Sequence, residues 1–267
     1  MSFEINDISS SILQRNLATS SKDIKISFAK LAHGKQSSAV ENAASLVISE
    51  QMEAQKRGSQ EALENALTGM NMLQTADSGL NSINENLQRI RELKIQSENG
   101  TLSDRDKEAI NQEISSLTSE IDRIAKTTSF NKINLLDGSS MDLEIQVGAN
   151  SDPETNSKQV GNPLDSATTE SLGLDPNSPD FLKQLDNAIK EVLSRRSEIG
   201  ALNNGLESTI NSLYVRQENL NASQSRIQDT DIALEISKLT QNQILQNASV
   251  SLMSQANQTP AIIKLLV

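Results

Sequence analysis

The chain has 267 residues, of which only 2% are aromatic, and it contains no Trp and no Cys. Its 24 basic and 35 acidic side chains leave a formal net charge of -11, a surface that repels phosphate backbones and argues against nucleic-acid binding. The missing cysteines exclude disulfides, thiolate metal sites and cysteine nucleophiles, and the scarcity of aromatics argues against a thick enzyme-like core.

Leu, Ile, Ala and Val supply the apolar content, which suits narrow helix–helix seams. Pro153, Pro163, Pro176 and Pro179 crowd one window, and only Pro260 lies outside it. Proline breaks helices, so the proline-free stretches 1–152 and 180–259 read as two long helical arms around an irregular middle. In chain order, Ile5, Ile8, Ile12, Leu17, Ile24, Phe28 and Leu31 predict a helix over 4–33, ended at His33-Gly34. A second helix is expected from near Val40 to Glu98, with a heptad-like seam of Ala66, Met70, Leu73, Ala76, Leu80, Ile83, Leu87 and Ile90. At full length it would extend roughly 85 Å. Asn99-Gly100 is expected to end it as a left-handed cap. Ser103 with Asp106 resembles an N-cap pair for a third helix, whose face is Ile110, Ile114, Leu117, Ile121 and Ile124. The short connection predicts that it folds back antiparallel on the second.

Beyond Phe130 the period changes. Leu143, Ile145 and Val147 alternate with Glu144 and Gln146, as in a strand, and 150–178 reads as polar, proline-bearing loop. Ser178-Pro179 then predicts an N-cap with proline in the first helical position. The seam that follows is Leu182, Leu185, Ile189, Val192, Ile199, Leu202, Leu206, Ile210, Leu213, Leu220 and Ile227. From Leu239 to Val267 the only charged residue is Lys264. There Ile244, Leu245, Ala248, Leu252, Met253 and Ala256 form an apolar stripe, against Gln243, Gln246, Asn247, Ser249, Ser254 and Asn257. A face without charges suits packing against further copies around a wet inner wall. The expected fold is mainly α: a long antiparallel helical bundle with coiled-coil-like termini and a small β-hairpin and loop region in the middle.

Several ordered motifs carry a resemblance to bacterial flagellin. Leu87-Gln88-Arg89-Ile90-Arg91-Glu92-Leu93 resembles the family's LQRxREL and is followed by Gln96-Ser97 and Asn99-Gly100. Glu120-Ile121-Asp122-Arg123-Ile124, Phe130-Asn131 and Leu135-Leu136-Asp137-Gly138 are similar to its EIDRI, FN and LLDG runs. Near the other end, Ser225-Arg226-Ile227-Gln228-Asp229-Thr230-Asp231 resembles SRIxDxD. Gln243-Ile244-Leu245-Gln246 and Gln255-Ala256-Asn257-Gln258 resemble QILQ and QANQ, before the final Leu265-Leu266. The segment 31–45 departs from the family pattern, with Glu41-Asn42 in place of an aspartate pair and Ser45 in place of a glycine.

The resemblance implies a subunit that leaves the cell through the flagellar type III export apparatus without a cleaved signal, and that polymerises into a hollow helical filament for motility. The N-terminus shows no basic region followed by an apolar run. The resemblance also implies inner-tube helices from 1–40 with 229–267, a helical bundle from 41–138 with 179–228, and a short variable insert at 139–178. Implied partners are the chain itself, cap and hook-junction proteins, an export chaperone, and other flagellins or a sheath, with no nucleic acid and no membrane insertion. Ile5, Ile8, Ile12, Ile244, Leu245, Leu252 and Met253 are the candidate assembly residues. Flagellins that engage a vertebrate Toll-like receptor use an arginine and a leucine of LQRxREL and a glutamate of the next helix, here Arg89, Leu93 and Glu113. A minor flagellin or hook–filament junction protein would share these motifs, and a free-standing helical effector would share the helical arms. An enzyme lacks support: His33 is the lone histidine, no phosphate-binding glycine run occurs, and neither a cofactor nor a metal is expected. Asp229 and Asp231 read as helix-capping residues.

Overall fold

The computed structural model of the chain describes residues 2–36, 43–139, 143–150, 156–160 and 164–266, and side-chain surroundings between 11 and 255 within these. The elements are α1 (Ser2–His33), α2 (Ala43–Ser97), α3 (Asp104–Thr127), β1 (Ser129–Phe130), β2 (Ile133–Asn134), β3 (Glu144–Gln146), β4 (Ser157–Gln159), α4 (Phe181–Gln228) and α5 (Ile232–Leu266). The fold is mainly α with short antiparallel hairpins in the middle, as the proline map and the periodicities predict. Two compact units form: Met1–Glu53 with Leu220–Val267, and Ala54–Asn219. The expected helix start near Val40 and the divergent pair Glu41-Asn42 lie outside the described residues.

The second unit is a bundle of α2, α3 and α4. Pairings fix its directions. Arg89 of α2 meets Glu113 of α3 at 2.9 Å, and ten residues earlier Gly79 lies beside Thr128, so these helices run antiparallel. Arg91 pairs with Asp186 at 2.7 Å, Asp77 with Arg196 at 2.8 Å, and Gln60 with Gln217 at 2.9 Å, so α2 and α4 are antiparallel too. The heptad seam of α2 is the core: Ala66, Leu73, Ala76, Leu80, Ile83, Leu87 and Ile90 are fully buried. Ile114 and Ile121 from α3 and Leu185, Val192, Ile199 and Leu206 from α4 complete it. Such interdigitating seams hold a bundle by apolar burial with little help from propensity.

The α2–α3 connection differs from its expected form. Neither Asn99 nor Gly100 takes a left-handed conformation. A β-turn does the work, closed by Leu102 N–H donating to the Asn99 carbonyl at 3.3 Å. The Asn99 side chain also accepts from Thr101 N–H at 3.2 Å and from its hydroxyl at 3.0 Å. That side-chain turn replaces the need for positive φ. The capping box expected at Ser103 is present: Asp106 N–H donates to Ser103 Oγ, and Ser103 N–H to Asp106 Oδ2. The Ser103 hydroxyl and amide hold the Asp106 carboxylate below the usual carboxylate range.

The middle is more ordered than a polar loop. β1 and β2 pair antiparallel through Ser129–Asn134 and Phe130–Ile133, with Asn131 (φ 48°) and Lys132 (φ 67°) at the tip. Two central residues with positive φ match the right-handed twist of a two-residue hairpin. β3 pairs antiparallel with β4 and buries Ile145 between exposed Glu144 and Gln146, as the alternation predicts. Ile145 sits so close to α2 that a Cβ on Gly69 would come 2.3 Å from its Cδ1. The stretch 164–174, expected as loop, delivers Leu164, Ala167 and Leu172 to the core. Two polar anchors hold it: Asp122 accepts from Thr169 N–H (2.8 Å) and hydroxyl (2.9 Å), and buried Arg195 donates to the carbonyls of Asp165 and Ser166. α4 begins at Phe181, so Pro179 lies in the preceding turn, where Ser178 Oγ accepts from Asp180 N–H.

In the first unit α1 and α5 run antiparallel, shown by Ser20 Oγ donating to the Asn242 carbonyl and Ser27 Oγ to Glu235, each at 2.7 Å. Gly34 (φ 66°) ends α1, with its N–H on the Lys30 carbonyl, as a left-handed helix cap does.

Replacing fully buried Leu87 by Ala removes seam contacts and is expected to cost about 2–5 kcal/mol in denaturant unfolding of the full chain. Ser103→Ala is expected to speed amide exchange over 104–107. The ionised Asp106 share of the box is present above the ordinary carboxylate value of about 4 and lost as pH falls through its depressed value. The exchange gap between variant and parent should therefore narrow on acidification.

Candidate assembly interface

At 100° per residue, α5 presents Glu235, Leu239, Asn242, Gln246, Ser249 and Met253 on one side. These residues, at alternating steps of four and three, are the buried or half-buried ones. The matching side of α1 is Leu13, Leu17, Ser20, Ile24, Ser27 and Leu31, also at steps of four and three. This is a two-helix heptad seam, but its most enclosed positions are polar: Ser20, Ser27, Glu235 and Ser249. Serine lets the backbones approach, and Ser27 supplies the hydrogen bond that buried Glu235 needs.

The larger apolar side chains are left outside. Leu234, Leu245 and Leu252 flank one edge of the seam, Ile232, Ile236 and Val250 the other, and Ile244 points directly away. All are exposed, Ile244 at 63% and Leu252 at 54%. Phe28 on α1 (54%), Val47 and Ile48 on α2 extend the set. Among the described residues, every buried apolar side chain of the chain belongs to the other unit. Contiguous exposed apolar patches are the usual mark of surfaces that another protein covers.

Of the candidate assembly residues, Ile12, Ile244, Leu245 and Leu252 are exposed, whereas Met253 is half-buried in the α1–α5 seam. The side chains of Ile5, Ile8, Ala256 and Asn257 lie outside the described residues. Gln246 and Ser249, assigned by sequence to an uncharged face against other copies, instead face α1; Gln243, Asn247 and Ser254 are exposed. Sequence reasoning passed over Ile232, Leu234 and Ile236. In the same turn Glu235 is buried in the seam, and exposed Lys238 pairs with it from the seam's edge at 3.6 Å.

The junction beside this surface is built by the 225–231 motif. Gln36 N–H donates to the Gln228 carbonyl at 2.6 Å and Thr230 N–H to the Gly34 carbonyl at 3.0 Å, so the exit of α1 is stitched to the break between α4 and α5. Asp229 accepts from Ser225 Oγ, and Asp231 Oδ1 caps α5 by accepting from Leu234 N–H at 3.0 Å. Asp231 therefore caps a helix, as its sequence context predicts, whereas the Asp229 carboxylate holds only the Ser225 hydroxyl one turn back.

Arg89, Leu93 and Glu113 separate into two kinds. Arg89 and Glu113 are about half exposed and paired, and the hydrogen bonds that Arg89 donates to the Glu113 carboxylate raise its guanidinium above the ordinary value. Leu93 is 2% exposed and belongs to the core of the bundle. Among the described residues no group of acidic or histidine side chains could hold a metal ion, and no helix is long and apolar enough to cross a membrane.

The chain matches the bacterial flagellin N-terminal helical region over residues 5–141 and the bacterial flagellin C-terminal helical region over 182–266. It is 39% identical to a flagellin of Halalkalibacterium halodurans over 85% of each chain. It is 37% identical to a flagellin of Bacillus subtilis over 93% of this chain and 92% of that one. A flagellar filament 33 kDa core protein of Treponema phagedenis is 34% identical over 98% of both. The chain belongs to the bacterial flagellin family. It is a structural filament subunit of the flagellum, extracellular in that setting, and the junction-adaptor alternative is not favoured.

Leu252→Asp places a charge on the exposed edge of α5 and is expected to abolish filament growth. Circular dichroism and the unfolding transition of 54–219 should stay unchanged, because Leu252 lies outside that unit and is more than half exposed.

Proposed function

We propose that the α1–α5 pair drives polymerisation of this subunit into a hollow helical filament, with Ile12, Ile244, Leu245 and Leu252 covered by neighbouring copies. The observation that carries this reading is the distribution in the first unit: the fully enclosed seam positions are polar, and many large apolar residues lie exposed outside the seam. A lone subunit leaves that area in water, and each added neighbour removes it, at about 25 cal/mol per Å² of apolar surface buried. Many small contacts therefore share the assembly energy. In this reading α1 and α5 form the inner tube and the bundle of 54–219 the layer outside it. Within 139–178, β3 and the stretch 164–174 close against that bundle, with Ile145, Leu164, Ala167 and Leu172 in its core.

Family membership also supports partners beyond the chain itself. These are a cap and hook-junction proteins at the filament ends, an export chaperone and the type III export apparatus before assembly, and companion flagellins or a sheath. For a vertebrate Toll-like receptor, the Arg89–Glu113 pair is the accessible part of the proposed contact, while Leu93 acts through the packing of α2 beneath it.

The test is negative-stain electron microscopy of the purified chain, salted out with and without short filament seeds. Long hollow filaments are expected. A chain that stays monomeric under all conditions, even when seeded, would overturn the reading of α1–α5 as a self-propagating interface.

A further inference from the structure

The chain contains two Asn-Gly pairs, Asn99-Gly100 and Asn204-Gly205, and the fold treats them in opposite ways. Asn204 and Gly205 lie inside α4, where the Gly205 amide belongs to the helical hydrogen-bond ladder. Asn99 and Gly100 lie in the turn between α2 and α3, and both are exposed. The Gly100 N–H donates to no group among the described residues, and a Cβ on Gly100 would meet nothing within 4 Å. The Asn99 side-chain oxygen accepts two hydrogen bonds from Thr101, which orient the amide and draw electron density from its carbon.

We propose that Asn99 is a site of spontaneous deamidation in the folded subunit and that Asn204 is not. The nucleophile is the backbone nitrogen of Gly100. After it loses its proton to solvent base, it attacks Cγ of Asn99. A C–N bond forms, the Cγ–Nδ2 bond breaks, and the side-chain nitrogen leaves as ammonia once protonated. The resulting five-membered imide adds one water at either carbonyl and opens to aspartate or isoaspartate. One water is consumed and one ammonia released, with no change of oxidation state. The reaction needs an unpartnered amide nitrogen with no side chain on its residue. In the folded chain only the Asn99 pair meets both, because the Gly205 N–H must first leave its helix.

The product alters the turn that holds α2 to α3. A carboxylate at 99 follows Glu98 at the C-terminal end of α2, where the helix dipole disfavours negative charge. Isoaspartate also lengthens the backbone by one carbon within the turn closed by Leu102 N–H and the Asn99 carbonyl.

The experiment is to age the full-length chain in mildly alkaline buffer, folded and in denaturant, and to follow both tryptic peptides by mass spectrometry. Isoaspartate is scored independently by enzymatic methylation. In the folded chain, Asn99 is expected to gain the one-dalton shift with isoaspartate as part of the product, and Asn204 at least about tenfold more slowly, equivalent to about 1.4 kcal/mol of local opening. In denaturant the two rates should approach each other, and Gly100→Ala should slow the folded reaction at 99. Equal folded rates at the two sites, or a faster rate at 204, would overturn the proposal. So would a folded Asn99 that stays intact while the denatured peptide converts.

Discussion

Two helices packed side by side can each hide only one stripe from water. In α1 and α5 the most enclosed positions of that stripe are Ser20, Ser27, Glu235 and Ser249, while its leucines and isoleucine are only half-buried. Ile12, Phe28, Ile244, Leu245 and Leu252 lie outside the stripe and stay exposed. The bundle of α2, α3 and α4 answers the same geometric limit differently. A third helix and two hairpins enclose the α2 seam, and Leu73, Leu80, Ile83 and Leu87 lose all contact with solvent. One unit encloses its apolar seam within the subunit, and the other leaves large apolar side chains exposed, which is the asymmetry that the proposed assembly rests on.

Each family motif has a mechanical task. In the LQRxREL run, Leu87, Ile90 and Leu93 fill the core, while Arg89 and Arg91 tie α2 to α3 and α4. In the EIDRI run, Ile121 is core, Glu120 pairs with Arg123, and Asp122 clamps Thr169. In the LLDG run, both leucines are fully buried, Asp137 accepts from Ser139 and Asn134, and Gly138 supplies a left-handed turn at φ 85°. The 225–231 run makes the junction between α4 and α5. The motifs are thus short because each fixes one local joint, and they are spread out because the joints are far apart along the rods.

Much of this was legible in the sequence. Steps of three and four along 66–90 give the α2 seam, and the Ser103–Asp106 pair gives the start of α3. The Leu143–Val147 alternation gives β3. Three features were not legible, each for a physical reason. The 164–174 segment looks like loop because its backbone is irregular, and its burial depends on Asp122 and Arg195, which lie far away in sequence. Asn99-Gly100 resembles a left-handed cap, but the turn with Thr101 satisfies the same backbone groups without it. On α5, periodicity locates apolar residues on several sides, and only the position of α1 decides which of them are covered.

The stitching of Gly34 and Gln36 to Gln228 and Thr230, together with the Ser27–Glu235 contact across 208 residues of sequence, has a bearing on the order of events during synthesis. α1 emerges from the ribosome well before α5, with about 200 residues made between the contacting positions. At about 5–20 residues per second, the interval between them is on the order of tens of seconds. Throughout that time α1 has no inner face to bury and no junction to close, whereas α2 and α3 can already meet. A loop of this length also carries a large closure entropy, so the pairing forms late even in a finished chain. α1 therefore waits longer for its partner than α2 waits for α3.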